Sequence, residues 1–127
     1  MPVADKLIQV AETYGFDGWF INQETEGAEE RALTRDDAVK MQEFIKYFKK
    51  QAPEMRLVYY DSMTSEGKMD WQNALTDKNT MFMTDEEGNA VADEMFLNFW
   101  WTEDELADKD LLKAFGEKAE ELGISPY

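Results

Sequence analysis

Asn22 and Glu24, two residues apart at the end of a short apolar run, form the amide and carboxyl pair best suited to chemistry in this sequence. An amide can hold a polar group of a substrate while a neighbouring carboxyl trades a proton with it. Few other proton carriers are present. The chain has no His and no Cys, which excludes disulfides and thiolate metal sites and leaves acid or base work to carboxyls, Tyr or Lys. The plain structural reading of the pair is that, at a strand end, they are loop formers or helix caps. Two further strand ends carry polar or aromatic groups, Tyr60-Asp61 and Asn98 followed by Trp100-Trp101. Trp71, Trp100 and Trp101 read on their own as core packing, with stacking on a ligand face as the functional alternative. Adjacent strand residues face opposite ways, so one of Trp100 and Trp101 at most enters a pocket, and Trp101 is the choice here. Asp61, Asn73 and Asn98 are candidate polar contacts to a ligand or buried hydrogen-bonded supports.

These side chains need strands to deliver them. Trp19, Phe20 and Ile21 follow the turn signal Asp17-Gly18 in a run too short for a helix, and an extended path through residue 24 puts Asn22 and Glu24 on one face. A helix precedes this strand from about residue 3, with Leu7, Ile8, Ala11 and Tyr14 at helical spacing and Gly15 as its stop. Thr34 reads as the N-cap of a second helix, whose stripe is Ala38, Met41, Phe44, Ile45 and Phe48, and Pro53 forces an exit. Residues 55–60 read as a continuous apolar strand covered on both faces. Residues 80–83 suggest another short strand between two turn signals. Residues 95–101 give a further strand, followed by a capping-box pattern at 102–105. A last helix, 110–122, carries Leu111, Leu112, Phe115 and Ala119 on one side. Helices alternating with strands predict an α/β fold with a parallel sheet.

Three or four parallel strands leave open sheet edges, whereas a (β/α)8 TIM barrel has none and takes roughly 250 residues. The 127-residue chain, 43% hydrophobic, is therefore expected to be about half of such a barrel, residues 1–127 being a fragment of one catalytic domain. In that architecture active sites gather at the C-terminal strand ends, where the candidates above lie. A net charge of -15 disfavours nucleic acid and anionic membrane surfaces. No apolar run spans a bilayer, and residues 1–6 lack the basic and apolar regions of a signal peptide. Clustered carboxylates at strand ends can bind Mg²⁺ or Mn²⁺, but Glu24 and Asp61 are the only well-placed ones, so no metal is expected.

Four segments, YGFDGWFINQETEG (residues 14–27), LVYYDSM (57–63), WQNAL (71–75) and MFLNFWW (95–101), resemble the endo-β-N-acetylglucosaminidases of glycoside hydrolase family 85. The resemblance runs through most of the chain and is most specific in DGWFINQE. It implies the early-to-middle part of a catalytic TIM barrel acting on N-linked glycans at the β-1,4 bond of their chitobiose core. The implied mechanism retains configuration without an enzyme nucleophile, the substrate's own 2-acetamido oxygen forming an oxazoline. On the Asn-x-Glu motif, the resemblance gives Asn22 the acetamide and Glu24 the acid/base role, with Tyr60 assisting at the acetamide while Tyr59 points into packing. Trp71 and one of Trp100 and Trp101 match aromatics lining the family's site. No cofactor is implied. The non-catalytic alternative is a carbohydrate-binding module, which would not require the Asn22 and Glu24 pair. Localisation stays open between cytosolic and exported, as does the choice of water or sugar as acceptor.

Overall fold

The computed structural model describes residues 1–98 and 110–125. Trp100, Trp101, the capping-box pattern at 102–105 and the final two residues lie outside the described residues. Helix α1 (Pro2–Tyr14) opens with Pro in its first turn and ends at Gly15, whose φ of 74° is the left-handed conformation that glycine adopts without a Cβ clash. Strand β1 (Gly18–Ile21) follows, and a minimal antiparallel hairpin of β2 (Gly27–Ala28) and β3 (Arg31–Ala32) lies between it and the next helix. Helix α2 (Arg35–Gln51) starts at Thr34 with a reciprocal cap, the Thr34 backbone N–H donating to Asp37 Oδ2 at 3.0 Å. Strands β4 (Arg56–Tyr60) and β5 (Glu94–Phe96) complete the sheet, and α3 (Leu111–Glu121) closes the described chain.

The three main strands are parallel in the order β1-β4-β5, with Ile21 beside Tyr59 and Tyr60 beside Phe96. Gly18 sits against the Arg56 backbone so closely that a Cβ there would lie 1.8 Å from the Arg56 carbonyl oxygen. No side chain fits at that position, which explains the glycine that opens the strand. One face of the sheet carries the core. Leu57 and Tyr59 of β4 are fully buried with Ala38, Ile45 and Phe48 of α2 and Ala4 and Ala11 of α1. Trp19 and Ile21 of β1 pack against the same cluster, and the Trp19 indole N–H donates to the Leu7 carbonyl of α1 at 3.0 Å.

Several expectations change in the folded chain. Residues 80–83 are not a strand: Thr80–Phe82 is one 3-10 turn, because the backbone there coils to seat Phe82 on Tyr59 at a ring separation of 4.2 Å. A short apolar run carries no period by which the two could be told apart. The turn is held from both sides, by the Gln42 amide donating to the Met81 carbonyl at 2.7 Å and by the Ala92 N–H donating to the Phe82 carbonyl at 3.0 Å. Irregular chain with this turn therefore replaces a helix between β4 and β5. Tyr14, placed by its spacing on the buried stripe, is 72% exposed and stacks on Phe16 instead. Leu112 is likewise exposed. β4 is buried on one face only: Val58 and Tyr60 on the other are half-buried.

Candidate active site

The sheet face away from α1 and α2 is lined by Phe20, Tyr60 and Phe96. The Phe20 ring lies 5.9 Å from Tyr60 and 5.6 Å from Phe96, edge-on to the latter. Strand alternation puts Asn22 of β1's extension and Asn98 beyond β5 on this same side. β1 ends at Ile21, yet the alternation persists: Asn22 and Glu24 are exposed and Gln23 between them is half-buried. The Gln23 side chain turns back on its own loop, its amide donating to the Thr25 carbonyl at 2.9 Å and its oxygen accepting from the Thr25 hydroxyl at 3.0 Å.

Tyr60 is the hub. Its hydroxyl donates to Asn98 Oδ1 at 3.0 Å, and the Asn98 amide donates onward to Asn73 Oδ1 at 2.8 Å. Burial raises the pKa of the Tyr60 phenol, the nearby Glu24 and Asp61 carboxylates add to the rise, and a hydrogen bond from Trp71 opposes it. Asn98 and Trp71 thus bond to one phenol and the Glu24 carboxylate acts on it electrostatically, although residues 24, 60, 71 and 98 are scattered along the chain. Trp71 is 42% exposed and free to offer an indole face. Tyr59, next in sequence, points to the opposite side and donates to the Met63 carbonyl at 3.3 Å.

Asp61 lies beneath the site. It is 1% exposed, and its carboxylate accepts from the backbone N–H groups of Gln72 (3.2 Å), Asn73 (2.8 Å) and Asn98 (3.3 Å) and from the Asn79 amide (3.0 Å). Burial pushes its pKa up while these four donors pull it back. Of the two readings of Asp61, the geometry gives the buried support: it gathers the segment carrying Trp71 and Asn73 onto the end of β5. Asn73 adopts φ of 56°, a left-handed turn that asparagine tolerates, and thereby presents both its N–H to Asp61 and its side-chain oxygen to Asn98.

Two contributors went unnoticed in the sequence. Asn79, just before the 3-10 turn, accepts from the Thr76 N–H at 2.8 Å through its side-chain oxygen and donates its amide to Asp61. Ser62, 1% exposed, donates its hydroxyl to the Gln23 carbonyl, 39 residues away. Its place directly after Tyr60-Asp61 was the available signal, but a lone serine does not name its partner. Among the described residues no group of three or more carboxylates is arranged to hold a metal ion. No helix among them is long and apolar enough to cross a membrane.

The chain is 37% identical over 107 residues to the cytosolic endo-beta-N-acetylglucosaminidase of Danio rerio, which covers 81% of this chain and 13% of the relative. The enzyme of the same name from Mus musculus is 34% identical over 104 residues, covering 82% and 13%. Among solved structures, the glycoside hydrolase domain of Endo-D from Streptococcus pneumoniae R6 superposes with a TM-score of 0.82 at 34% identity, covering all of this chain and 19% of that one. The chain thus spans about an eighth of the length of these curated relatives, at 13%. The family model of glycosyl hydrolase family 85 matches residues 1–127, and this chain belongs to that family.

Proposed function

We propose that this chain is part of the (β/α)8 catalytic barrel of an endo-β-N-acetylglucosaminidase that cuts the GlcNAc-β-1,4-GlcNAc bond of the chitobiose core of N-linked glycans. The observation that supports the reading is that Asn22 and Glu24 are exposed together past the end of β1, with the Glu24 carboxylate close enough to Tyr60 to act on its phenol. Glu24 protonates the glycosidic oxygen, the substrate's acetamide oxygen attacks the anomeric carbon, and the bond to the departing GlcNAc breaks. Positive charge develops on the acetamide as the oxazoline ring closes. The Asn22 side-chain oxygen accepts a hydrogen bond from the acetamide N–H and stabilises that charge, and Tyr60 supports it from β4. Glu24, now a carboxylate, removes a proton from water as the water opens the ring, and configuration is retained. A sugar hydroxyl in place of water makes the same step a transfer. Trp71 forms a sugar platform, with one of Trp100 and Trp101 as its partner, while Asn73 and Asn98 line the polar rim and Asp61 holds them.

The barrel reading is supported by the sheet itself. Phe20 and Phe96, each 48% exposed, form an aromatic face that further strands of a closed barrel would cover. Half a barrel lacks half of its pocket, so the 127-residue chain alone is inactive. The animal relatives are named cytosolic, which favours a cytosolic parent over an exported one. Glycan release from a high-mannose glycopeptide tests the assignment, comparing this chain, a barrel-length form and that form with Glu24→Gln. Activity in the barrel-length wild type alone is expected. Retained sugar binding without release in any form would replace the enzyme by a carbohydrate-binding module.

A further inference from the structure

The parallel ladder between β1 and β4 ends at the Ile21 and Tyr59 pair. Past it, the backbone that carries Asn22 and Glu24 has left the sheet, and its polar groups need other partners. The Gln23 carbonyl, midway between the two side chains, receives the Ser62 hydroxyl. Ser62 is 1% exposed and anchored on both sides: its N–H donates to the Tyr60 carbonyl at 2.8 Å, and its carbonyl accepts from the Asp70 N–H at 2.9 Å. It therefore joins the Asn-x-Glu segment to the end of β4 and to the residue before Trp71.

We propose that Ser62 is a positioning residue that fixes the peptide between Gln23 and Glu24 and so aims the Glu24 carboxyl at the glycosidic oxygen. The inference rests on the glycosidase reading above. A carbonyl held by a donor fixes the plane of its peptide, and that plane sets the direction in which the next Cα–Cβ bond leaves. The Glu24 Cα lies in this plane, and past its Cβ two further single bonds lead to the carboxyl carbon, so a small rotation of the peptide displaces the acid on the order of 1 Å. A displacement of that size costs about 100-fold in rate. Binding of the sugar through Trp71 does not run through this peptide, so the loss falls on the chemical step and not on affinity.

The test compares Ser62→Ala with wild type in the barrel-length protein on two substrates: a high-mannose glycopeptide, and the same oligosaccharide bearing a nitrophenyl leaving group in place of the reducing-end GlcNAc. The nitrophenolate departs with little help from an acid, so a misaimed acid matters less there. Expected for Ser62→Ala is a fall in kcat of about 10–100-fold on the glycopeptide, with KM little changed and a clearly smaller loss on the nitrophenyl glycoside. Ser62→Cys, which keeps the size and weakens the donor, is expected to fall between the two and is read in its place if the alanine variant does not fold. Equal losses on both substrates would reduce Ser62 to a structural role and overturn the proposal, as would activity matching wild type. A wild type inactive on both substrates would overturn the glycosidase reading, and this inference with it.

Discussion

Tyr59 and Tyr60 are adjacent in β4 and live in opposite environments. Tyr59 is fully buried on the helix side, stacked on Phe82, whereas Tyr60 stands half-buried on the other side among Phe20, Phe96 and Asn98. Burial raises the pKa of both phenols, but only for Tyr60 is Glu24 among the causes. The contrast generalises to the sheet. One face is closed by α1 and α2 and supplies cohesion, while the other carries the rings of Phe20, Tyr60 and Phe96 and, at the strand ends, the amide of Asn98 bonded to Tyr60. A strand's two-residue period lets one short segment serve both ends.

Substitutions should separate the faces cleanly. The largest effect on stability is expected from Tyr59→Ala, about 3–5 kcal/mol in denaturant unfolding, whereas Tyr60→Phe should cost about 1 kcal/mol or less and act on glycan release instead. Comparable stability losses for the two would abolish the distinction. Next, Gly18→Ala should destabilise by about 1–3 kcal/mol, since its Cβ meets the Arg56 backbone, and thermal unfolding would report it.

A smaller, pH-dependent effect belongs to the helix side. Lys46 of α2 donates to Asp85 at 2.7 Å, which lowers the Asp85 pKa and raises that of Lys46. A depressed carboxyl contributes stability that is present above its unfolded value near 3.8 and is lost as pH falls. The raised lysine contributes below its unfolded value near 10.5 and loses that as pH rises further. Lys46→Met should therefore flatten the acid side of a melting-temperature profile without touching catalysis. An unchanged acid limb would contradict this. The smallest signal is a titration: Glu24→Gln removes a negative neighbour and should lower the Tyr60 pKa while leaving Tyr59 alone, as read by NMR of labelled tyrosine rings. No movement at Tyr60 would separate Glu24 from the phenol.

Much of the site was legible locally. Asp17-Gly18 before an apolar triplet marks β1, and the alternation beyond it exposes Asn22 and Glu24 together. The same two-residue rule sorts Tyr60 from Tyr59. Thr34 with Asp37, and Gly15 after α1, are signals confined to one helical turn, which is why both helix ends were readable. Less was legible between β4 and β5. Nothing near residues 80–83 indicates that Phe82 must reach Tyr59, and nothing near Trp71 indicates that Asp61 will collect the backbone there.

Periodicity, caps and turn residues act over a few positions of chain, so α1, β1, α2 and β4 could be read locally, whereas the faces of Tyr14 and Leu112 and the turn at Thr80–Phe82 could not. Which side chains meet depended on packing between distant parts of the chain. The bonds that join Ser62 to Gln23, Tyr60 to Asn98 and Asn79 to Asp61 connect residues 39, 38 and 18 positions apart. Such pairings arise when packing brings strand ends together and buried polar groups must find partners, and a polar residue's local surroundings do not encode which partner that will be.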